Sequence, residues 1–359
     1  MRKVCIQVPQ HLGERVRRHL MKHELLDTAF PINKENSHLF FPLQHSLSEE
    51  DRKTLHALIG DLTIVTKELI PLTRKPSDLV TALVGKLPES LLDALPHSFD
   101  IIGDVAVVEL NSHLSQYENL IGQAIMTVNS RVKTVYAKEG GVEGEYRVRP
   151  LRLLAGKAQT TTIHTEYGLQ IAVDVTKTYF SPRLSTEHDR VAQLVQPGEI
   201  IVDMFTGVGP FALLFAKRHR VKVYAIDINK RAIQCLQKSL ELNRLEGQVI
   251  SLVGDARNII DQSLIGKADR VIMNLPHGAL EFLDAAIHAL KPTGGIVHYY
   301  GITTEDYPLD ALIDTVLTKI SRCKRSGEVI HARNVRPSAP HEFQVVLDLQ
   351  VSQSITSST

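Results

Sequence analysis

From about residue 191 the chain alternates between two hydrophobic periods. The apolar runs "IIVDMF", "KVYAIDI", "VISLVGD", "ADRVIMNLP" and "GGIVHYY" are separated by helical periodicity over 210–218, 230–243 and 278–290. Continuous apolar strands interleaved with amphipathic helices predict a parallel sheet with crossover helices, hence a doubly wound α/β domain over 191–359. "FQVVLDLQV" alternates as a late strand.

The earlier chain has a different grain. Over 1–70, the alternating strand "KVCIQVP", the helical "LGERVRRHLMKHELL", the strand "HLFFPL" and a further helix and strand within "SEEDRKTLHALIGDLTIVTKEL" predict a small α/β domain. "IPLTRKPSDLV", with two prolines, suits a linker. Over 75–190, helices in "SDLVTALVGKL" and "PESLLDALP" precede "SFDIIGDVAVVEL", where Gly103 and Asp104 sit like a hairpin turn. The helix "YENLIGQAIMTV" and the strands of "TTTIHTEYGLQIAVDV" complete a middle α+β domain.

Composition narrows the class. The 359 residues exceed one ordinary core, and 43% hydrophobic with 23% charged residues are globular values. No stretch approaches the roughly 18 apolar residues of a membrane span. The start "MRKVCIQVPQ" lacks the apolar core of a secretory signal, so the expected location is the cytoplasm. Cys5, Cys235 and Cys323 have no paired spacing, and no histidine stands at ligand spacing from Cys or Glu, so no metal site is expected. A net charge of +1 leaves nucleic-acid binding to local clusters: Arg15, Arg17, Arg18, His19 and Lys22; Arg131, Lys133 and Lys138; Arg322, Lys324, Arg325, Arg333 and Arg336. Each is equally well read as a solvated face.

The chemistry concentrates at four strand ends. Asp203, Asp227, Asp255 and Asn274 each close an apolar run, where doubly wound sheets bind ligands. The loop after Asp203, "DMFTGVGPF", contains Gly207 and Gly209; with Ala212 it also fits a dinucleotide fingerprint. Asp227 would serve ribose hydroxyls in either case. Pro210 argues against NAD, because a pyrophosphate on a helix N-terminus needs backbone N–H groups that proline lacks. S-adenosylmethionine carries no phosphate, and its ammonium and sulfonium favour acids such as Asp203. Asp255 could accept from an adenine amine. Asn274 and Pro276 in "NLP" offer an amide oxygen and a backbone carbonyl to the polar edge of a flat base.

A set of segments then stands in order: "EGEYRVR" (143–149), "TIHTEYG" (162–168), "YFSPRLSTEHDR" (179–190), "DMFTGVGPF" (203–211), "AIDINKRAI" (225–233), "MNLP" (273–276) and "VHYY" (297–300). Over nearly the whole chain they resemble the archaeal and eukaryotic tRNA (guanine-37-N1)-methyltransferase family. The resemblance implies a Rossmann-like class I methyltransferase domain behind a small N-terminal domain that reads the tRNA elbow. It implies S-adenosylmethionine held by Asp203, Phe205, Gly207, Gly209, Asp227, Asp255 and Asn274. It assigns Glu187 as general base, Arg147 as the cation at guanine O6, Asn274 as a further catalytic residue, and Tyr179, Arg183 and Pro276 to the substrate. Read alone, Glu187 in "STEHD" is an ordinary helix-start residue behind a Ser185 or Thr186 cap. Two positions depart from the family pattern: Thr206 in place of Ala, and His188 in place of Arg. The implied partner is tRNA, through its anticodon loop and elbow, with the enzyme a monomer and no membrane involved. Aminocarboxypropyl transfer to, or carbon methylation of, a tricyclic wyosine precursor at the same tRNA position is the alternative. An inactive RNA-binding module and an NAD dehydrogenase are more distant ones.

Overall fold

The computed structural model describes residues 1–72, 76–140 and 148–353. Its contacts divide the chain into two units, Met1–Ser77 and Asp78–Thr359. The first contains β1 (Arg2–Pro9), α1 (Gly13–Lys22), β2 (Asn33–Glu35), β3 (His38–Pro42), α2 (Glu49–Ile59) and β4 (Thr63–Glu68). Its strands form an antiparallel sheet in the order β2-β3-β1-β4. Ser48 and Asp51 cap α2 reciprocally, each side chain accepting from the other's backbone N–H. Ile6, Val8, Val16, Leu20, Phe41 and Leu55 form the core beneath both helices.

The second unit opens with α3 (Leu79–Leu83), β5 (Asp100–Ile102), β6 (Val105–Val108), α4 (Glu118–Val128), β7 (Thr134–Lys138) and β8 (Leu151–Gly156), the strands pairing in that order. β5 and β6 turn at Gly103, whose φ of 57° suits glycine. The two helices expected over 77–96 are curtailed to α3 and a single 3₁₀ turn, Glu89–Leu91, because Gly85 (φ 73°) and Pro88 interrupt the helical backbone. β9 (Thr161–Glu166) and β10 (Leu169–Asp174) form a hairpin across Tyr167 and Gly168, both at positive φ.

Next come α5 (Ser185–Leu194), β11 (Ile200–Asp203), α6 (Pro210–Arg218), β12 (Lys222–Asp227), α7 (Lys230–Leu242), β13 (Gln248–Val253), α8 (Ala256–Ile259), β14 (Arg270–Met273), α9 (Ala279–Ala289), β15 (Gly294–Thr304), α10 (Leu309–Arg322), β16 (Ser326–Ala339) and β17 (Glu342–Ser352). They build a seven-stranded sheet in the order β13-β12-β11-β14-β15-β17-β16. β11 to β15 run parallel, and β17 and β16 are antiparallel additions. The order reverses between β11 and β14, which puts the site beyond Asp203. One core joins Ile102, Val107 and Tyr136 of the smaller sheet to Ile171, Phe211 and Val223. The middle segment is therefore packed into the same unit as the doubly wound sheet.

β16 escapes the hydrophobic pattern. Three register shifts, at Val329/His331, Asn334/Arg336 and Pro337/Ala339, break its period of two, so its sequence never alternates cleanly. Among the described residues no helix is long and apolar enough to cross a membrane.

Candidate active site

The loop after β11 is shaped by two glycines. Gly209 caps α6 at φ 84°, and a Cβ there would lie 2.4 Å from Leu236 Cδ1. Pro210 takes the first helical position, where its missing N–H costs nothing. The Gly207 N–H donates to Asp227 Oδ2 at 2.7 Å, and Asn229 N–H to Asp227 Oδ1 at 2.8 Å. Burial raises the Asp227 carboxyl, opposed by these two donors.

Asp203 is fully buried. Thr206 Oγ1 donates to its Oδ2 at 2.7 Å, so the family departure at Thr206 supplies a partner that alanine could not. Oδ1 has no partner among the described residues. Burial pushes this carboxyl up to about 7, with the Thr206 hydroxyl and the Phe205 N–H opposing the rise and Asp227 adding to it. A buried acceptor left open beside a second acid is what a ligand ammonium would satisfy, so the residues fit S-adenosylmethionine.

Asp255 caps α8 by accepting from Arg257 N–H at 2.8 Å and pairs with the Arg257 guanidinium at 2.6 Å, which holds its carboxyl low. Arg257 lies over the Phe282 ring, 4.4 Å from its centroid, and Phe205 meets Phe282 edge-on at 4.9 Å. Asp255 and Phe205 thus belong to one wall.

A cavity of about 1010 Å³ is lined by Tyr179, Phe180, Arg183, Leu275, His277 and Arg336, among others. Arg336 on β16 organises it: Nη2 donates to Tyr179 Oη at 2.7 Å, Nη1 to Ser181 Oγ at 3.2 Å and Nε to Gln344 Oε1 at 3.0 Å. Gln344 Nε2 then donates to Asn274 Oδ1 at 3.3 Å. The amide oxygen expected to meet the base edge is therefore already engaged inside the protein. Pro276 sits in a turn closed by Gly278 N–H and Leu275 O at 2.9 Å. Arg183 Nε donates to Asp100 Oδ1 at 2.7 Å, an ion pair that orders the loop before α5.

Glu187 is 1% exposed in the first turn of α5. Neither Ser185 nor Thr186 caps that helix: a 3₁₀ turn, Pro182–Leu184, runs directly into it, so both lie inside. Tyr300 Oη donates to Glu187 Oε1 at 2.7 Å, Arg190 Nη2 to Oε1 at 2.8 Å, Arg190 Nε to Oε2 at 3.0 Å, and Arg333 Nη2 to Oε2. Burial would raise this carboxyl, but these donors outweigh it and hold it below the usual range. Arg190 also bridges to Asp348 at 2.6 Å, and His298 Nδ1 meets Asp348 Oδ1 at 2.6 Å. Arg270 Nη1 lies 2.7 Å from His298 Nε2. Since arginine only donates, His298 must accept there and carry its proton on Nδ1, facing Asp348. His188, next to Glu187, points away to Glu166 Oε1 at 2.7 Å and stacks edge-on against Phe211. Arg147 lies outside the described residues.

Acids closing β11 and β12, a glycine loop opening α6, and a parallel sheet closed by an antiparallel pair define a Rossmann-like methyltransferase. Three family models match along the chain: the tRNA methyltransferase 5 N-terminal domain over 5–51, the TYW2 N-terminal domain over 79–160, and the TRM5/TYW2 methyltransferase domain over 162–331. The chain belongs to the tRNA (guanine(37)-N(1))-methyltransferase family, being 38% identical over 349 residues to "tRNA (guanine(37)-N(1))-methyltransferase Trm5b" of Pyrococcus abyssi (97% of this chain, 99% of that protein). A crystal structure of that relative matches with a TM-score of 0.74, covering 98% of this chain and 99% of the other. A structure described as the complex of aTrm5 and tRNALeu matches at 33% identity with a TM-score of 0.82, covering 97% and 99%. The tRNA(Phe) (4-demethylwyosine(37)-C(7)) aminocarboxypropyltransferase of Pyrococcus horikoshii is 32% identical over 272 residues, 76% of this chain and 95% of that protein.

Sequence reasoning missed Tyr300, Gln344 and Asp348 as parts of the site, and saw Arg333 and Arg336 only as a basic cluster. That cluster, beside a late alternating strand, was the available signal.

Proposed function

We propose that this protein transfers the methyl group of S-adenosylmethionine to N1 of the guanosine at position 37 of tRNA, next to the anticodon. The observation that carries the choice is length. The methyltransferase relative matches end to end, whereas the aminocarboxypropyl relative is nearly spanned by only part of this chain. We assign the first unit to the tRNA elbow and the second to the anticodon loop, in a monomeric cytoplasmic enzyme.

S-adenosylmethionine supplies an electrophilic methyl on a sulfonium; the remaining tasks fall to the chain. Asp203 would hold the ammonium, Asp227 the ribose, and Asp255 with Phe205 the adenine side, on the loop set by Gly207 and Gly209. Guanine N1 carries a proton at neutral pH, so its lone pair is available only once a base removes it. Glu187 is ionised there, because its donors keep its carboxyl low, and it takes that proton. Charge then builds on O6, where the family pattern places Arg147. Tyr179, its hydroxyl held by Arg336, presents an aromatic face to the extruded base, with Pro276 and, through the second lone pair of the amide oxygen that Gln344 holds, Asn274 at its edge. Arg183 borders the same cavity.

Unmodified transcripts with guanine or adenine at position 37, incubated with S-adenosylmethionine and digested to nucleosides, test this directly. 1-Methylguanosine should form from the guanine transcript only. Equal methylation of both would overturn the mechanism, and an aminocarboxypropyl product would transfer the protein to the other reaction. Binding of tRNA should also weaken log-linearly with salt, with a slope of about −0.7 to −0.9 per phosphate contact; a flat response in filter binding would count against a tRNA substrate.

The raised Asp203 carboxyl gives cofactor binding a pH dependence. In the free protein Asp203 holds its proton below about 7. An ammonium partner favours the ionised form, so binding releases a proton and weakens as pH falls. Calorimetric affinity should drop by up to roughly tenfold per pH unit below about 7 and level off above it. Asp203→Asn should flatten the curve; an equally steep curve in that variant would place the proton elsewhere.

A further inference from the structure

A carboxylate has about four lone-pair sites. Those of Glu187 are matched by four donor groups: Tyr300 Oη, Arg190 Nη2, Arg190 Nε and Arg333 Nη2. In this arrangement Glu187 has nowhere to receive a proton, and its side chain is 1% exposed. If it is the base, one donor must leave when the substrate arrives.

The donors are not equally held. Tyr300 is fully buried. Arg190 is 21% exposed and anchored on its far side by two hydrogen bonds to Asp348, at 2.6 and 3.1 Å. Arg333 is 37% exposed and stands on β16, between two register shifts. Its Nε is buried with no partner among the described residues. It is the least tethered of the three residues.

We propose that Arg333 is the displaceable partner of Glu187: it orients the carboxylate before substrate binds, then withdraws so that the freed lone pair on Glu187 Oε2 can take the proton from guanine N1. The inference rests on Glu187 being the base. Arg333 acts through Glu187 and is a positioning residue. No bond other than the N1–H bond breaks in this step, and the proton passes to Glu187 Oε2.

The groups facing Glu187 identify what else could titrate. Arg190 is on its own helix; Tyr300 and His298 come from β15, Arg333 from β16 and Asp348 from β17. His188 is occupied by Glu166 of β9. Burial keeps His298 neutral and Tyr300 protonated, and Arg190 and Asp348 stay charged through neutral pH. With saturating S-adenosylmethionine keeping Asp203 ionised, Glu187 is, among the described groups facing it, the one whose protonation the acid limb is expected to follow.

The test is the single-turnover rate of 1-methylguanosine formation against pH, with saturating S-adenosylmethionine and tRNA transcript, for Arg333→Ala, Arg333→Lys and Glu187→Gln. In Arg333→Ala the acid limb should move up by about one pH unit, the effect of removing one nearby opposite charge. Its plateau should fall by only a few-fold, since the base remains but has lost the group that orients it. Arg333→Lys, which keeps the charge, should restore the parent limb, separating the effect from damage to the strand. An unmoved limb in Arg333→Ala overturns the proposal, as does a plateau lowered about tenfold or more, because Arg333 would then act in the chemical step. Near-parent rates in Glu187→Gln would instead overturn the base assignment, whatever Arg333 does.

Discussion

Glu187→Gln should slow single-turnover methylation by about 10² to 10⁴ while leaving the affinities for tRNA and S-adenosylmethionine nearly unchanged. The amide keeps the shape of the carboxylate but cannot take the N1 proton. It also turns an NH2 toward at least one of the guanidinium donors that now meet an oxygen. The variant should therefore lose about 1–3 kcal/mol of stability as well, the cost of a disrupted buried hydrogen bond. Rates must be read below its unfolding transition. In the parent protein the carboxyl is held low, so with S-adenosylmethionine kept saturating the single-turnover rate should persist into mildly acid solution and fail only as pH drops through the depressed value. A near-normal rapid-quench rate would remove Glu187 from the chemistry and leave it a buried member of an ion network.

The second large effect concerns that network. Arg190→Ala should destabilise the protein by about 3–5 kcal/mol, because it removes the guanidinium shared by two buried carboxylates, leaving Glu187 (1% exposed) to Tyr300 and Arg333 and Asp348 (1% exposed) to a neutral His298. Denaturant unfolding would measure this. The deficit should also depend on pH in a defined direction. With Arg190 present, burial would raise the Asp348 carboxyl, but His298 and Arg190 outweigh it and hold it well below the usual range. Its stabilising contribution is complete above the unfolded carboxylate value and is lost as pH falls toward the folded one. The gap between variant and parent should therefore be widest near neutrality and narrow in acid. A deficit under about 1 kcal/mol at neutral pH would show the two carboxylates finding other partners or water, as exposed pairs do.

Much of the architecture was legible because its signals are local. β11 to β15 are continuous apolar runs, since strands covered on both faces admit few polar residues. The residues closing four of them, Asp203, Asp227, Asp255 and Asn274, are assigned to one rim by their position in the pattern alone. The glycine loop was legible for the same reason: the φ of 84° at Gly209 is a demand on a single residue. Local signals failed where a neighbour decided the outcome. Asn229 caps α7 through its own side chain, but Glu187 enters α5 behind a 3₁₀ turn that no cap motif announces.

By itself, the sequence determined the order of elements, the strand-end acids and, through its family pattern, the family and its reaction class. Tertiary structure decided what surrounds those residues. Tyr300 reaches Glu187 across 113 positions, Arg333 across 146, and Arg190 reaches Asp348 across 158. Such pairings exist only after β17 has paired beside β15 and β16 beside β17. Hydrophobic periodicity says that a segment is a strand, not which strand lies next to it, and β16 is too bulged to declare even that. The acidity of Glu187 and the open oxygen of Asp203 follow from burial and partners assembled over these distances, and so appear only in the folded chain.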